Sequence, residues 1–301
     1  MIVGSQRLTF RPVAIADAAW ALPKMEAENS QGCDRCFSTL CMWREYYHNS
    51  LAVSKEGWLF FRFDSEPPYL FLQPEGEESM RQIECLLAHA HREGYPLRLF
   101  GADEEAVLQM KQHFPDRFEY VDLREDADYL YYRTDLAELK GKDYDGKRNH
   151  IAAFSRKYAW RFEPLTDENT ADFLAVANAW RLEKDSWSEA LLAEYNGLSE
   201  ALLHRETLHM RGGLIRVGEQ AVAITCGAPV RNDTFDIQIE KALAEYSGAY
   251  AVINREFAAH LPKQYVWLNR ENDLGIPGLR RAKESYHPAK LLTKYLCIER
   301  T

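Results

Sequence analysis

The stretch from Thr234 to Pro288 constrains the fold more tightly than any other part of the chain. Apolar and polar residues alternate from Thr234 to Ile239, as a half-buried strand requires. Ser247-Gly248 then breaks the alternation before a helical period of about 3.6 begins. Tyr250, Ile253, Phe257 and Leu261 fall on one face of the predicted helix, Pro262 stops it, and Tyr265-Val266-Trp267-Leu268 reads as a second, buried strand. Strand, helix and strand in this order form a parallel pair. Such units bind ligands outside the carboxyl ends of their strands, which is where the Gly248 turn and the loop Asn269 to Gly275 lie.

A chain of 301 residues exceeds the usual single domain, so two domains of roughly 150 residues each are expected. Apolar residues at 46% and aromatics at 12% suffice for two cores. A net charge of -9 argues against a general binder of nucleic acid or anionic membrane, so the placement of the basic residues decides more than their number. Lys140 to Lys157 holds six basic and two acidic residues, and Pro277 to Lys294 holds five and one; these are the candidate anion sites. No run of about 18 apolar residues occurs, and MIVGSQRLTF lacks a charged leader followed by an apolar stretch. A cytoplasmic chain without a transmembrane segment is expected. Six scattered cysteines point to free thiols rather than a disulfide framework.

In chain order the first half reads as a strand at Leu8 to Pro12, a helix from Ile15 and a buried helical segment at Cys33 to Trp43. A hairpin over Leu51 to Phe63 and a strand at Tyr69 to Leu72 follow, then a helix from Glu77 to Glu93, a strand at Leu97 to Phe100 and a helix from Glu104 to Phe114. Strands at Phe118 to Leu123 and Tyr129 to Arg133 complete it. The second half repeats that grammar, with helices at Glu168 to Leu182 and Ser188 to Met210, a hairpin turning at Gly218-Glu219-Gln220, and a last strand at Tyr295 to Glu299. The fold class is therefore mixed α/β (α+β): an N-terminal domain over 1–140, a basic connecting helix over 141–160 and a C-terminal domain over 161–301.

This element order resembles the GNAT acyltransferase fold, and two in tandem resemble the Fem-type and phosphatidylglycerol lysyltransferase arrangement. GKRNHIAAF at 146–154 and LNRENDLGIPGLRRAKESYHP at 268–288 are similar to the signatures of the bacterial family related to the C-terminal domain of phosphatidylglycerol lysyltransferases. The resemblance covers nearly the whole chain. It implies two GNAT-like domains, each a mixed sheet flanked by helices, and a donor that is aminoacyl-tRNA or acyl-CoA acting as co-substrate, with no tightly bound cofactor. In one respect the chain departs from the pattern: Glu245-Tyr246-Ser247-Gly248-Ala249 offers one glycine and an acid where CoA-binding relatives carry a glycine-rich loop.

Arg280 and Lys283 share a face of the helix opened by Pro277, and a helix start beside two cations suits a phosphate or carboxylate; the competing reading is a solvated basic face with Glu284 pairing Arg280. Lys147, Arg148 and His150 form a similar set beside the apolar stripe Ile151, Phe154 and Tyr158. With Gly248 and Asn254 these make the expected donor site, and Asn269 and Glu271 the expected substrate contacts. Glu240, Tyr286 and Asp273 are the candidates for proton transfer, because direct acyl transfer needs one group to take a proton from the acceptor and another to give one to the leaving group. Each has a plainer alternative: an ion pair of Glu240 with Lys241, Arg255 or Arg270, a helix cap for Asp273, and packing for Tyr286. Gly141 to Lys147 nearly spells a P-loop, but Arg148 stands where the magnesium-binding hydroxyl belongs, and Asp145 reads as a helix cap. Cys33, Cys36 and Cys41 with His48 lack a second Cys pair and lie among Phe37, Leu40 and Met42, so no metal site is predicted. The expected function is transfer of an acyl or aminoacyl group from a large anionic donor, tRNA among the possible partners, to an amine or hydroxyl acceptor. The alternative is a non-catalytic GNAT-like module that binds a small metabolite, nucleic acid or protein.

Overall fold

The computed structural model describes residues 7–184 and 187–300. Its strands are β1 (Arg11–Pro12), β2 (Ser50–Val53), β3 (Leu59–Phe63), β4 (Leu70–Leu72), β5 (Arg98–Ala102), β6 (Phe118–Asp122) and β7 (Asp128–Tyr132). They continue with β8 (Trp160–Pro164), β9 (Arg211–Val217), β10 (Gln220–Arg231), β11 (Thr234–Ala242), β12 (Trp267–Asn269), β13 (Lys290–Leu292) and β14 (Tyr295–Glu299). They form two seven-stranded mixed sheets, ordered β1-β2-β3-β4-β5-β14-β6 and β13-β7-β12-β11-β10-β9-β8. β4 and β5 run parallel across the helix Ser79–Glu93, and β11 and β12 run parallel across the helix Ala249–His260. The βαβ unit read from Thr234 to Leu268 is present.

Sequence order does not predict which sheet two of the strands join. β7 was expected to close the first half and β14 the second; instead each enters the other sheet, β14 between β5 and β6, β7 between β12 and β13. The two crossings touch where Leu123 N donates to Lys294 O at 2.9 Å. Lys294 is wholly buried there, with Nζ 2.5 Å from Asp34 and 2.8 Å from Asp128. Burial alone would strip its proton, but the two carboxylates outweigh burial and hold the pKa well above the ordinary lysine value.

The cores are stacked in layers. Phe71, Leu86, Leu99 and Met110 fill the outer side of the first sheet, and Tyr131, Ile215, Phe235 and Val252 the outer side of the second. Between the sheets lies a shared core in which Phe37, Leu40 and Leu51 meet Phe173, Leu198, Ile224 and Ile239. Both halves therefore bury apolar surface against each other. The helix expected from Ser188 to Met210 ends at Leu203, and Ser188 caps it by accepting from Leu191 N. It packs so closely on the short helix Phe37–Met42 that a Cβ at Gly197 would enter the carbonyl of Met42. The basic connecting helix runs from Asp145 to Lys157. Asp145 is its first residue rather than its cap, and Ile151 and Phe154 join the outer core of the second sheet.

Gly197→Ala is expected to destabilise the protein by about 1–3 kcal/mol or more, because the clash is with backbone that cannot rotate away. Gly278→Ala, in the helix Pro277–Glu284 with open space around the site, should instead stabilise by about 0.4–1 kcal/mol. Urea unfolding of the two variants reads the difference, and equal effects would contradict the packing described.

Candidate active site

β11 is nine residues long but pairs with β12 only from Thr234 to Asp236. After Asn269 the chain turns away to bond β7, with Arg270 N donating to Tyr129 O at 3.0 Å, and the two parallel strands part. A bulge in β11 at Gln238, opposite the Cys226/Gly227 step of β10, reverses the alternation. Phe235 and Ile237 point to the outer core and Ile239 to the shared core, so Glu240 emerges on the same side as the helix Ala249–His260.

There Glu240 receives two donors, Asn254 Nδ2 at 2.8 Å and Arg270 Nη2 at 2.7 Å. Glu240 and Arg270 keep only 12% and 11% of their side-chain exposure, so this is a sequestered ion pair, one of the plainer alternatives for Glu240. The Arg270 guanidinium lies 4.7 Å from the ring centre of Tyr286 and 5.5 Å from that of Tyr131. Lys147 reaches in from the basic helix, its ammonium 3.7 Å from the Tyr286 ring centre and 2.6 Å from Ser285 Oγ. Burial, with Arg270 adding to it and Glu240 opposing, brings the Lys147 pKa down to about 8. Burial pushes the phenol of Tyr286 well above its ordinary value, so it stays protonated at neutral pH. Glu240, Asn254, Arg270, Tyr286 and Lys147 thus converge at the opening between the strands.

Other candidates are placed elsewhere. Arg148 is turned back on the carbonyls of Leu139 and Gly141 and on Asp145, where it ties down the turn before the helix. His150 is exposed, and its carbonyl would lie 2.8 Å from a Cβ at Gly248, whose φ is +95°. The glycine turn therefore packs on the basic helix, with Ala249 N and Ala251 N donating to Tyr246 O and Gly248 O. Arg280 is spent on Asp273, Nε at 2.8 Å and Nη2 at 3.0 Å, and does not pair with Glu284. The same buried carboxylate accepts from Tyr129 Oη at 2.7 Å, Arg124 Nη1 at 3.2 Å and Gly275 N at 2.9 Å. Burial disfavours its charge, yet these donors win and hold the Asp273 carboxyl far below the usual range, which suits an anchor for the loop and not a proton shuttle. Lys283 is buried against the carbonyl of Arg270, with a pKa lowered to about 8 chiefly by burial. Asn269 bridges Asp128 and the carbonyl of Gln31, both at 2.8 Å.

Arg270 entered the sequence reading only as a possible partner of Glu240, because a single cation after an apolar strand carries no periodic signal. Lys294 shows in the sequence only as the last cation of a basic segment and Asp128 carries no signal at all, since their pairing depends on the strand exchange.

Residues 26–298 match the profile of the family described as phosphatidylglycerol lysyltransferase, C-terminal. The chain belongs to this family. A conserved protein of unknown function from Bacteroides thetaiotaomicron is 34% identical over 97% of this chain and 100% of that chain, with a TM-score of 0.91. The structure of L-PGS from Bacillus licheniformis aligns over 92% of this chain and 91% of that chain at 16% identity and TM-score 0.64. FemX aligns over 96% of both at 8% and 0.59. The last two share the fold, which is the tandem GNAT-like arrangement. No curated protein matches the sequence. Among the described residues of this family member, no helix is long and apolar enough to cross a membrane. Family and fold are those of transferases.

The Asp273 clamp predicts an acid-sensitive loop. Its folded pKa lies below the unfolded value of about 3.9, so its contribution is complete at neutral pH and fades as the pH falls through that value toward the folded pKa. Asp273→Asn should cost about 2–3 kcal/mol at pH 7 and progressively less below about pH 4. Denaturant titrations at both pH values measure this; a penalty independent of pH would refute the clamp.

Proposed function

We propose that this chain transfers an acyl or aminoacyl group directly from a large anionic donor to an amine or hydroxyl acceptor, at the opening between β11 and β12. The observation that carries this reading is the parting of the parallel strands beyond Asp236, with a bulged strand aiming Glu240 at Arg270 and Tyr286. In direct transfer the acceptor attacks the donor carbonyl, loses a proton, and the leaving group regains one. A phenol kept protonated by burial and a half-buried ammonium above its ring are suited to receive the charge developing on the carbonyl oxygen and to protonate the leaving oxygen or sulfur. Glu240, fixed by Asn254 and Arg270, acts electrostatically on both Lys147 and Tyr286, and we assign it the departing proton although it is ion-paired to Arg270.

Aminoacyl-tRNA is the favoured donor. The start of the helix Ala249–His260, where a pyrophosphate would sit, is crowded by the Gly248 turn packing on the carbonyl of His150, and the amides of Ala249 and Ala251 donate to Tyr246 O and Gly248 O. Lys147 leads a helix carrying further exposed cations toward an extended polyanion. An aminoacyl-tRNA should raise the melting temperature, by the equivalent of about 2.7 kcal/mol at 100 times its dissociation constant, while acyl-CoA should not. Stabilisation by acyl-CoA alone would reverse the donor assignment, and stabilisation by neither would favour the binding module.

Tyr286→Phe is expected to lower the transfer rate by about 10²-fold with donor binding retained. If protonated Lys147 is the working form, activity falls as the pH rises past about 8, and Lys147→Arg should move that limb upward. A pH profile unchanged in Lys147→Arg would remove Lys147 from the mechanism.

A further inference from the structure

A cavity of about 520 Å³ lies at the end of β11 away from the opening. It sits between the helix Ala18–Ala27 and the turn that joins β10 to β11, with Tyr265, just before β12, on a further side. From Thr234 to Glu240 the strand covers about 20 Å at roughly 3.3 Å per residue, so the cavity is separate from the transfer site. Leu22, Pro23 and Met25 line it from the helix, and Pro229 and Val230 from β10. Ala18, Met25 and Val230 on its walls are buried members of the shared core, so the recess reaches the apolar interior between the halves. Its volume falls within the range of small-molecule sites, and walls of this kind offer water few partners.

One polar group on the wall is left unsatisfied. Arg35 is 6% exposed; its Nη1 donates to Glu28 Oε2 at 2.7 Å and its Nε lies 3.6 Å from Glu75, but the buried Nη2 has no acceptor among the described residues. Arg231, the other arginine on the wall, is already engaged by Asn29 and Asp233. The same two arginines also line a smaller polar chamber of about 170 Å³, so the wall they form is the polar end of the larger cavity. A buried N–H without an acceptor carries a desolvation cost that a ligand oxygen removes, and a carboxylate is the oxygen group best matched to a guanidinium. Glu26 is the one acidic side chain among the described residues of the lining, against two arginines. At the apolar end, the rings of Pro23, Pro229 and Tyr265 are rigid surfaces that suit a flat ring better than a flexible chain.

We propose that this cavity is a binding site for an aromatic carboxylate, its ring held between the helix Ala18–Ala27 and the end of β10 and its carboxylate on Arg35. The site goes beyond the transferase reading and does not depend on it, because it shares no residue with the opening around Glu240.

The test is calorimetric titration of the full chain with 2-naphthoate, its neutral counterpart 2-naphthalenemethanol, and decanoate. 2-Naphthoate should bind with one site per chain and about tenfold or more tighter than the alcohol. Arg35→Lys, which keeps the charge but not the guanidinium fork, should remove most of that preference while leaving the alcohol unchanged. Ala19→Trp, which fills the cavity from an exposed helix position and leaves the core side chains intact, is the second variant and should weaken both ring ligands. Naphthoate binding no tighter than the alcohol, binding unchanged in Ala19→Trp, or tighter binding of decanoate than of naphthoate overturns the proposal.

Discussion

The buried ion cluster of Lys294 with Asp34 and Asp128 is the interaction on which the remaining architecture depends. It sits where the chain passes between the two sheets in both directions, and its three members come from three separated segments. Removing charges from water is expensive, so an arrangement like this persists only when every partner is in place. Here Asp128 also accepts from Cys33 N and Asn269 Nδ2, and Asn269 in turn accepts from Glu271 N. The cluster thus sets the height at which β12 ends and the direction in which the following loop departs. Arg270, Glu271 and Asp273 owe their positions to it.

The two halves share a fold plan but differ beyond their parallel pairs. In the first sheet the parallel pair is equally short, Leu70 to Leu72 against Arg98 to Phe100, and the wholly buried Gln73 follows it, its N donating to Phe100 O at 2.8 Å. In the second sheet the pair stops at Asn269, and a bulge rather than a regular register occupies the adjacent strand. The first half contributes Ser38 and Thr39, whose hydroxyls accept from Gln238 Nε2, and a sheet for the shared core to rest on.

Periodicity made the βαβ unit, both hairpins and most helices legible, because Ile253, Phe257 and Leu261, or Ile83 and Leu87, repeat at the spacing their burial demands. The grouping of Glu240, Tyr286 and Lys147 was partly legible from their places near element ends, and that of Asn254 from its place on the helix between the parallel strands. Other features were hidden for definite reasons. A one-residue bulge leaves no trace in the alternation of TFDIQIEKA, yet it decides which face Glu240 occupies. Basic residues look alike in sequence, and only the fold separates Lys147, at the opening, from Arg280 and Arg148, which hold loops. DYLYY, whose first four residues are all buried, fits a central strand of either sheet equally well.

The strand exchange also constrains how such a chain can acquire its structure. β6 gains no neighbour in its sheet until β14 is inserted beside it, and β14 is synthesised after the entire second half. An edge left waiting in this way exposes β5 and β6 to unwanted pairing during synthesis, and closing the largest loop in the molecule is the step with the highest entropic cost. Each sheet thus holds a strand that comes from the other half of the chain, so neither half can complete its sheet alone.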